Sequence, residues 1–568
     1  MTAESTTPGW DHTVDLLVVG SGAGAMAAAI VAHDRKGSVL VIEKSDRYGG
    51  NTAMSGGGLW APNNHLMAAA GVPDSPEDAW TYLKGTVGDA VPEDRLRAYL
   101  ETVPEMVRYM TERTRARFVA LPEYADYYQN IPGCRPGGRS IEPLNFDARQ
   151  LGDEFLRMQE QNPQMLIMNR IFMTVFEART LLTRSPGWGK LTAQLMGRYW
   201  LDLPWRFTSR RDRNLAMGNA LIGMLRASLL DRGVPLWLET AARELVVEDG
   251  RVVGVVAERK GQRLRIRAHR GVVLAAGGFE SNQAMRDKYL PNPTRAEWSC
   301  GNHHNTGDAI NLGLSAGAAL DLMDDAWWGP TTVVPGEPHA RMLVIEKSLP
   351  GGILVNKRGA RFVNEAAPYI DVVNAMYRTS TPEAPCVPAY LVFDATFRKK
   401  YPCGPVLQAS QQPDWMLPKA LRDYFKKANT IEDLARQIGV DPVGLKATIT
   451  RFNEFARAGK DQDFHRGETV FDRYYGDEKV QPNACLAPIE TPPFYGLESY
   501  PGELGTKGGL KTDPCARVLS ESGAPIAGLY AIGNCSASVM GHSYPGAGAT
   551  IGPAMTFGYI AARDAITG

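Results

Sequence analysis

Residues 14–25 read VDLLVVGSGAGA, and the fold is decided there. Residues 14–20 are a short apolar, β-branched run of the kind a parallel strand buried on both faces needs, and the run ends on a glycine cluster. An alanine-rich segment, roughly residues 24–34, reads as a helix, and a second apolar run at 38–43 (SVLVIE) completes a strand–helix–strand unit of the expected size. Small residues stand where a dinucleotide fingerprint requires them: Gly20 for the tight turn, Gly22 for close approach of a pyrophosphate, and Ala25 for helix–strand packing. Ala23 and Gly24 lie between them, and the helix N-terminus adds positive potential for phosphate. Glu43 ends the second strand where a carboxylate accepts from ribose hydroxyls. A glycine-rich loop alone is a weak signal, but here strand, helix and acid fall in register.

The fingerprint does not separate FAD from NAD. The next segment does: Lys44, then Gly49-Gly50-Asn51-Thr52-Ala53-Met54-Ser55-Gly56-Gly57-Gly58. A second run of glycines and small hydroxyl residues after the ribose acid supplies further backbone N–H groups for the pyrophosphate and close passage along a flavin ring. FAD is therefore the predicted cofactor.

The 568 residues are enough for at least two domains, and 44% hydrophobic with 22% charged residues is the composition of a folded enzyme. Lys plus Arg and Asp plus Glu balance at 62 each, so no global field collects nucleic acid, and none is expected as partner. Seven scattered cysteines, odd in number and without a Cys-x-x-Cys pair, fit a reducing cytoplasm. Residues 1–12 lack a basic-then-apolar leader pattern, and no 18-residue uncharged apolar run occurs, so no membrane span is expected.

Further strands are expected at 236–238, 242–247, 252–258 and 271–274, all belonging with the first unit. From about Trp328 the texture becomes mixed and aromatic until roughly Gly505; the chain then returns to a short strand (GLYAIGN), a glycine-rich turn and a terminal helix. The predicted architecture is α/β: a Rossmann-type FAD-binding domain, discontinuous in sequence (1–327 and 506–568), with an inserted α+β catalytic domain (328–505). Within the first part, residues 163–207 form an insert dense in Met, Leu, Ile, Phe and Trp, broken by Arg170, Arg179, Arg184, Lys190, Arg198 and Arg206. Trp and Arg beside aliphatic faces suit the surface of an anionic bilayer, so peripheral contact with the inner face of the cell membrane is expected. A buried helical hairpin or an oligomer contact is the alternative for the same composition.

Ala275-Ala276-Gly277-Gly278-Phe279 after a strand, and Gly528-Leu529-Tyr530-Ala531-Ile532-Gly533-Asn534 near the end, complete a pattern that resembles the fumarate reductase and succinate dehydrogenase flavoprotein superfamily. That resemblance implies that these segments lie against FAD. Ala276, Gly277, Gly278, Asp308, Gly533, Asn534, Ala549, Thr550 and Ile551 complete the expected cofactor set. The flavin is expected to be noncovalent.

The segment Gly541-His542-Ser543-Tyr544-Pro545-Gly546-Ala547-Gly548-Ala549-Thr550-Ile551-Gly552 launches the last helix from a glycine turn, and donors placed there could stabilise an enolate. With Tyr127, Tyr369 and the flavin motifs, it resembles the bacterial 3-ketosteroid 1-dehydrogenase family over nearly the whole chain. The resemblance implies removal of two hydrogens from ring A of a 3-ketosteroid, with hydride passing from carbon 1 to flavin N5. Carried over by motif, the Tyr544 hydroxyl and the Gly548 N–H would bind the carbon 3 oxygen. A tyrosine would take the carbon 2 proton: Tyr369 in RFVNEAAPY, with Tyr377 as alternative. Tyrosine ionises near pH 10, so such a base needs a second donor; Tyr127 in YADYY fits, with Tyr128 as the register alternative. His542 and the His303-His304 pair read as structural, and no metal is predicted. The insert would favour sterol-derived 4-en-3-ones such as cholest-4-en-3-one. The electron acceptor is not legible in the sequence. Rival readings are a steroid dehydrogenase acting at another ring A bond, a fumarate-reductase-like enzyme with an Arg/His cluster for two carboxylates, and a noncatalytic membrane-associated redox flavoprotein.

Overall fold

The computed structural model describes residues 9–183 and 186–567. The run read first from the sequence forms the strand His12–Val19, inside an eight-stranded sheet. Gln262–Leu274 and Val39–Ile42 pair with it in parallel on either side. Pro525–Ala531 adds in parallel beyond Gln262–Leu274, and Leu236–Trp237 beyond Val39–Ile42. Leu16, Leu17, Val18, Val41 and residues 272–274 have no exposed surface, as a parallel sheet covered on both faces demands.

The helix Ala23–Asp34 lies against the C-terminal helix Ile551–Thr567. A Cβ at Gly24 would stand 2.6 Å from the Ala554 carbonyl oxygen, and one at Gly558 2.5 Å from that of Gly24. Gly24, surplus to the fingerprint in sequence, is thus where two helix backbones touch. This helix–helix contact is separate from the helix–strand packing expected of Ala25, which is buried as well.

The four further strands expected from the sequence all occur, but one is longer than read. Gln262–Leu274 begins nine residues before the apolar stretch 271–274, because Arg263, Arg265 and Arg267 alternate with Leu264, Ile266 and Ala268. This half pairs antiparallel with Arg251–Arg259, which pairs in turn with Thr240–Glu248. Its arginines reach carboxylates on Thr240–Glu248, Arg263 to Glu244 at 2.5 Å and Arg267 to Glu248 at 3.4 Å. The strand's one polar face hid its period of two.

A second sheet follows the order Arg341–Met342, Ala326–Thr332, Phe494–Thr506, Ala389–Phe393, Gly352–Val355. The 13-residue strand Phe494–Thr506 is its spine, pairing with Ala326–Thr332 at one end and Ala389–Phe393 at the other. Gly496, Pro501, Gly502 and Gly505 interrupt it, which gave this region its irregular texture in sequence. Gly502 is required: a Cβ there would run into the Trp298 carbonyl and the Thr331 side chain.

The insert forms the helices Val175–Thr183, Trp188–Trp200 and Leu203–Arg206 around a small cluster of Ile171, Leu195 and Tyr199. It leaves Met168, Phe176, Trp200, Leu201, Leu203 and Phe207 exposed, Leu201 by 79% and Phe207 by 91%. Several of its arginines turn inward: Arg198 donates to the Phe172 carbonyl at 3.1 Å, and Arg206 lies 4.0 Å from the Tyr199 ring centre. Arg184 and residues 1–8 lie outside the described residues. Among the described residues no helix is long and apolar enough to cross a membrane, and no His, Cys, Asp or Glu group could hold a metal ion.

Gly24→Leu forces a side chain into the helix contact and should destabilise by about 1–3 kcal/mol. Thermal melting should show a lower Tm, while Gly197→Ala, with nothing within 4 Å of its Cβ position, should not. An unchanged Tm for Gly24→Leu would contradict the helix contact.

Candidate active site

One continuous cavity runs from the glycine turn after His12–Val19 to the edge of the second sheet. Its first arm is walled by Gly20, Gly22, Ala23, Gly24, Ala25, Glu43 and Lys44, and by Gly50, Asn51, Thr52, Ser55, Gly56 and Gly57. Ala276, Gly277, Asp308, Gly533, Asn534, Thr550 and Ile551 close it. Gly278 and Ala549 stand behind the wall instead: a Cβ at Gly278 would strike the Thr506 hydroxyl, and Ala549 is fully buried, its N–H donating to the Gly546 carbonyl at 3.2 Å.

The arm suits an adenine dinucleotide. Much of its floor is backbone: Gly50 has φ +50° and nothing within 4 Å of its Cβ position, and Gly22 has only the Thr52 hydroxyl, at 3.6 Å. The 12-residue helix Ala23–Asp34 begins there, its first residues Ala23, Gly24 and Ala25 lining the groove, so its positive end lies at the cavity. Glu43 is pinned at the end of the second strand, accepting from the Ser21 hydroxyl at 2.6 Å and the Ser45 N–H at 3.0 Å; burial raises its pKa. Lys44 donates to Asp308 and to Thr306, both at 2.7 Å. Burial alone would raise Asp308, but the bonds it accepts from Lys44 and from the Thr306 hydroxyl, at 2.7 Å each, leave its pKa below the usual value. Asn51 is fixed by three bonds: its amide donates to Glu280 at 2.9 Å and to the Leu504 carbonyl at 3.0 Å, and its oxygen accepts from the Asn302 N–H at 2.5 Å. Burial pushes Glu280 up to about 7.

The second arm gathers Tyr127, Tyr369, Tyr544 and Gly548. The Tyr127 hydroxyl donates to that of Tyr369 at 3.0 Å, and the Tyr544 ring centre lies 5.2 Å from that of Tyr369 and 5.3 Å from that of Tyr127. Burial raises all three phenols, while hydrogen bonding with Tyr369 and Thr550 works the other way on Tyr544. Tyr124 and Tyr475 extend the row, their hydroxyls 2.8 Å apart.

Each tyrosine is held by its backbone. The Pro545 carbonyl accepts from the Tyr127 N–H at 3.0 Å and the Tyr82 hydroxyl at 2.6 Å, tying the two tyrosine loops together. Gly548 has φ +94°, and a Cβ there would lie 2.5 Å from the Leu59 backbone, so no other residue fits without displacement. Tyr369 opens the helix Tyr369–Thr379; the buried Lys347 ammonium donates to the Glu365 and Ala367 carbonyls just before it, at 2.8 and 2.7 Å. The register alternatives fall outside the cavity wall. Tyr377 donates to the Pro293 carbonyl at 3.1 Å, and Tyr128 lies 3.4 Å from Asp371.

Sequence reading missed the rest of this arm: Leu121, Tyr124, Glu142, Met165, Val175, Val344 and Tyr475 line it. Met165 and Val175 come from the insert. Glu142 accepts from the Val175 N–H at 2.9 Å, holding the start of an insert helix, and burial pushes it up to about 6. No local pattern marks such residues, since they converge only through the fold. His304, read as structural, lines the first arm. His542 bonds Asp325 at 3.1 Å.

The FAD binding domain family matches residues 15–551. A 3-oxosteroid 1-dehydrogenase of Mycobacterium tuberculosis (strain H37Rv) is 45% identical over 96% of this chain and 97% of its own length. One from Comamonas testosteroni is 40% identical over 98% and 97%. The crystal structure of a 3-ketosteroid Δ1-dehydrogenase from Sterolibacterium denitrificans, in complex with 1,4-androstadiene-3,17-dione, superimposes with TM-score 0.95 at 50% identity, covering 98% of this chain and 100% of that one. Fold, cavity and full-length similarity agree: the chain belongs to the FAD-binding 3-oxosteroid 1-dehydrogenase family.

Proposed function

We infer that this protein is an FAD-dependent 3-ketosteroid 1-dehydrogenase, which converts a 4-en-3-one ring A into the 1,4-dien-3-one. The observation that carries this reading is that one cavity is lined both by the glycine-rich dinucleotide turn and by three clustered phenols and Gly548. We assign residues 1–327 and 506–568 to cofactor binding and 328–505 to the catalytic domain.

Bound FAD supplies the acceptor for the hydride of carbon 1. The Tyr544 hydroxyl and the Gly548 N–H donate to the carbon 3 oxygen, which acidifies carbon 2 and stabilises the enolate. Tyr369 takes the carbon 2 proton. A lone buried tyrosine resists ionisation, and the 3.0 Å bond donated by Tyr127 offsets that resistance by stabilising the developing phenolate. A dicarboxylate substrate would need free cationic partners, yet Lys44 and Arg47 in the cavity wall are paired with Asp308 and Glu160, and Leu121, Tyr124, Met165, Val175 and Val344 are apolar or aromatic.

The insert supports a finer reading: a cytoplasmic enzyme resting on the inner face of the membrane and taking sterol-derived ketones from it. The same segment that gives Met165 and Val175 to the cavity wall exposes Phe176, Leu201 and Phe207 outside it. In sedimentation with anionic liposomes the native protein should pellet, and the Phe176→Ser/Leu201→Ser/Phe207→Ser variant should stay in solution. Equal recovery of the two in the pellet, or native protein left in the supernatant, would refute membrane docking.

Anaerobic mixing with a 4-en-3-one steroid should bleach the oxidised flavin band and yield the 1,4-dien-3-one. A double bond at another ring position, or no bleaching, would contradict the assignment. Tyr544→Phe should lower kcat by about 10²- to 10³-fold with FAD retained, and Tyr127→Phe by about 10²-fold. Wild-type turnover in either variant would remove that residue from the mechanism. Denaturing the holoenzyme should release all flavin into the supernatant, whereas yellow precipitate would indicate a covalent link.

A further inference from the structure

Beneath the turn that carries Tyr544 lies Lys507, with no exposed surface. Its ammonium donates to the Ser543 carbonyl at 2.9 Å and to Asp325 at 3.3 Å. It also lies 4.8 Å from the centre of the Trp327 ring, and that ring centre is 4.9 Å from the Tyr544 ring centre. Trp327 is itself fixed, its indole N–H donating to Asn534 at 3.2 Å.

A cation buried to this degree is costly unless paired, and a methionine would fill its volume with apolar atoms. Its backbone needs no ion pair to stay in place: the Lys507 N–H donates to the Asp325 carbonyl, and the Ser538 N–H donates to the Lys507 carbonyl, both at 3.1 Å. The neighbouring charges are arranged around it. Asp325 is shared with the half-exposed His542 at 3.1 Å, and the Asp371 carboxylate, on the helix that begins with Tyr369, also acts on the Lys507 charge. Burial lowers the Lys507 pKa, and these two carboxylates act against that.

We propose that Lys507 is a positioning residue for the ketone-binding turn: through the Ser543 carbonyl it orders the Ser543–Tyr544 peptide, so that the Tyr544 hydroxyl is already aimed when charge grows on the ketone oxygen. This rests on the role of Tyr544 given above. The Lys507–Asp325 pair lies in a desolvated interior, where its interactions are weakly screened. It is present before substrate arrives, so no reorganisation is needed at the moment of reaction.

The test is Lys507→Met in the holoenzyme, assayed with a 4-en-3-one steroid carrying hydrogen or deuterium at carbon 2. FAD content should be retained, KM should stay within about threefold, and kcat should fall about 10- to 100-fold with a larger isotope effect at carbon 2. Unchanged kcat, or a fall in kcat with an unchanged isotope effect, would overturn the proposal. If Lys507→Met gives no holoenzyme, Lys507→Met/Asp325→Leu, which removes both charges, replaces it with the same expected outcomes. Tyr544→Phe in the same assay separates two failures. A slow Tyr544→Phe beside a fully active Lys507→Met rejects only Lys507, whereas an active Tyr544→Phe rejects both roles.

Discussion

The glycine turn before the last helix is the constraint on which the rest depends. Gly548, held at φ +94° against the Leu59 backbone, fixes where Tyr544 and the start of Ile551–Thr567 can lie. The same turn accepts hydrogen bonds at Pro545 from Tyr82 and from the Tyr127 backbone, and at Ala547 from the Ser140 hydroxyl at 2.9 Å. Three distant stretches of chain thus meet on one short loop. Because these contacts meet the loop mostly at its main chain, the loop cannot drift without breaking several of them at once.

The energetics of the tyrosine cluster follow from burial. Three phenols packed together each ionise less readily than in water, so the site favours neutral hydroxyls in the resting protein. What it offers instead is a short ladder in which one hydroxyl gives a hydrogen bond as its neighbour gains negative charge. Buried ammonium groups brace two members of that ladder by main-chain carbonyls, Lys347 ahead of Tyr369 and Lys507 ahead of Tyr544.

Much of this was legible in the sequence because it is local. Residues 14–43 announce strand, turn, helix and strand by period and by small residues in fixed places, and the turn at 541–552 announces itself by glycine density. The second sheet was not legible, since its 13-residue spine carries glycines where the Trp298 carbonyl and the Ile438 and Asn534 side chains press in, and its partners lie far away in the chain. Tyr127 and Tyr128 could not be separated by pattern because they are neighbours; only the fold turns one hydroxyl toward Tyr369 and the other toward Asp371. Tyr124 and Tyr475 were out of reach for the same reason, a contact between residues 351 positions apart.

The central claim is that one phenol and one main-chain amide grip the same ketone oxygen. Its most direct test is a crystal structure of the holoenzyme with a 1,4-dien-3-one bound. The carbon 3 oxygen should lie about 2.7–3.1 Å from both the Tyr544 Oη and the Gly548 N. A ketone oxygen bound elsewhere, or bonded to only one of the two, would contradict it.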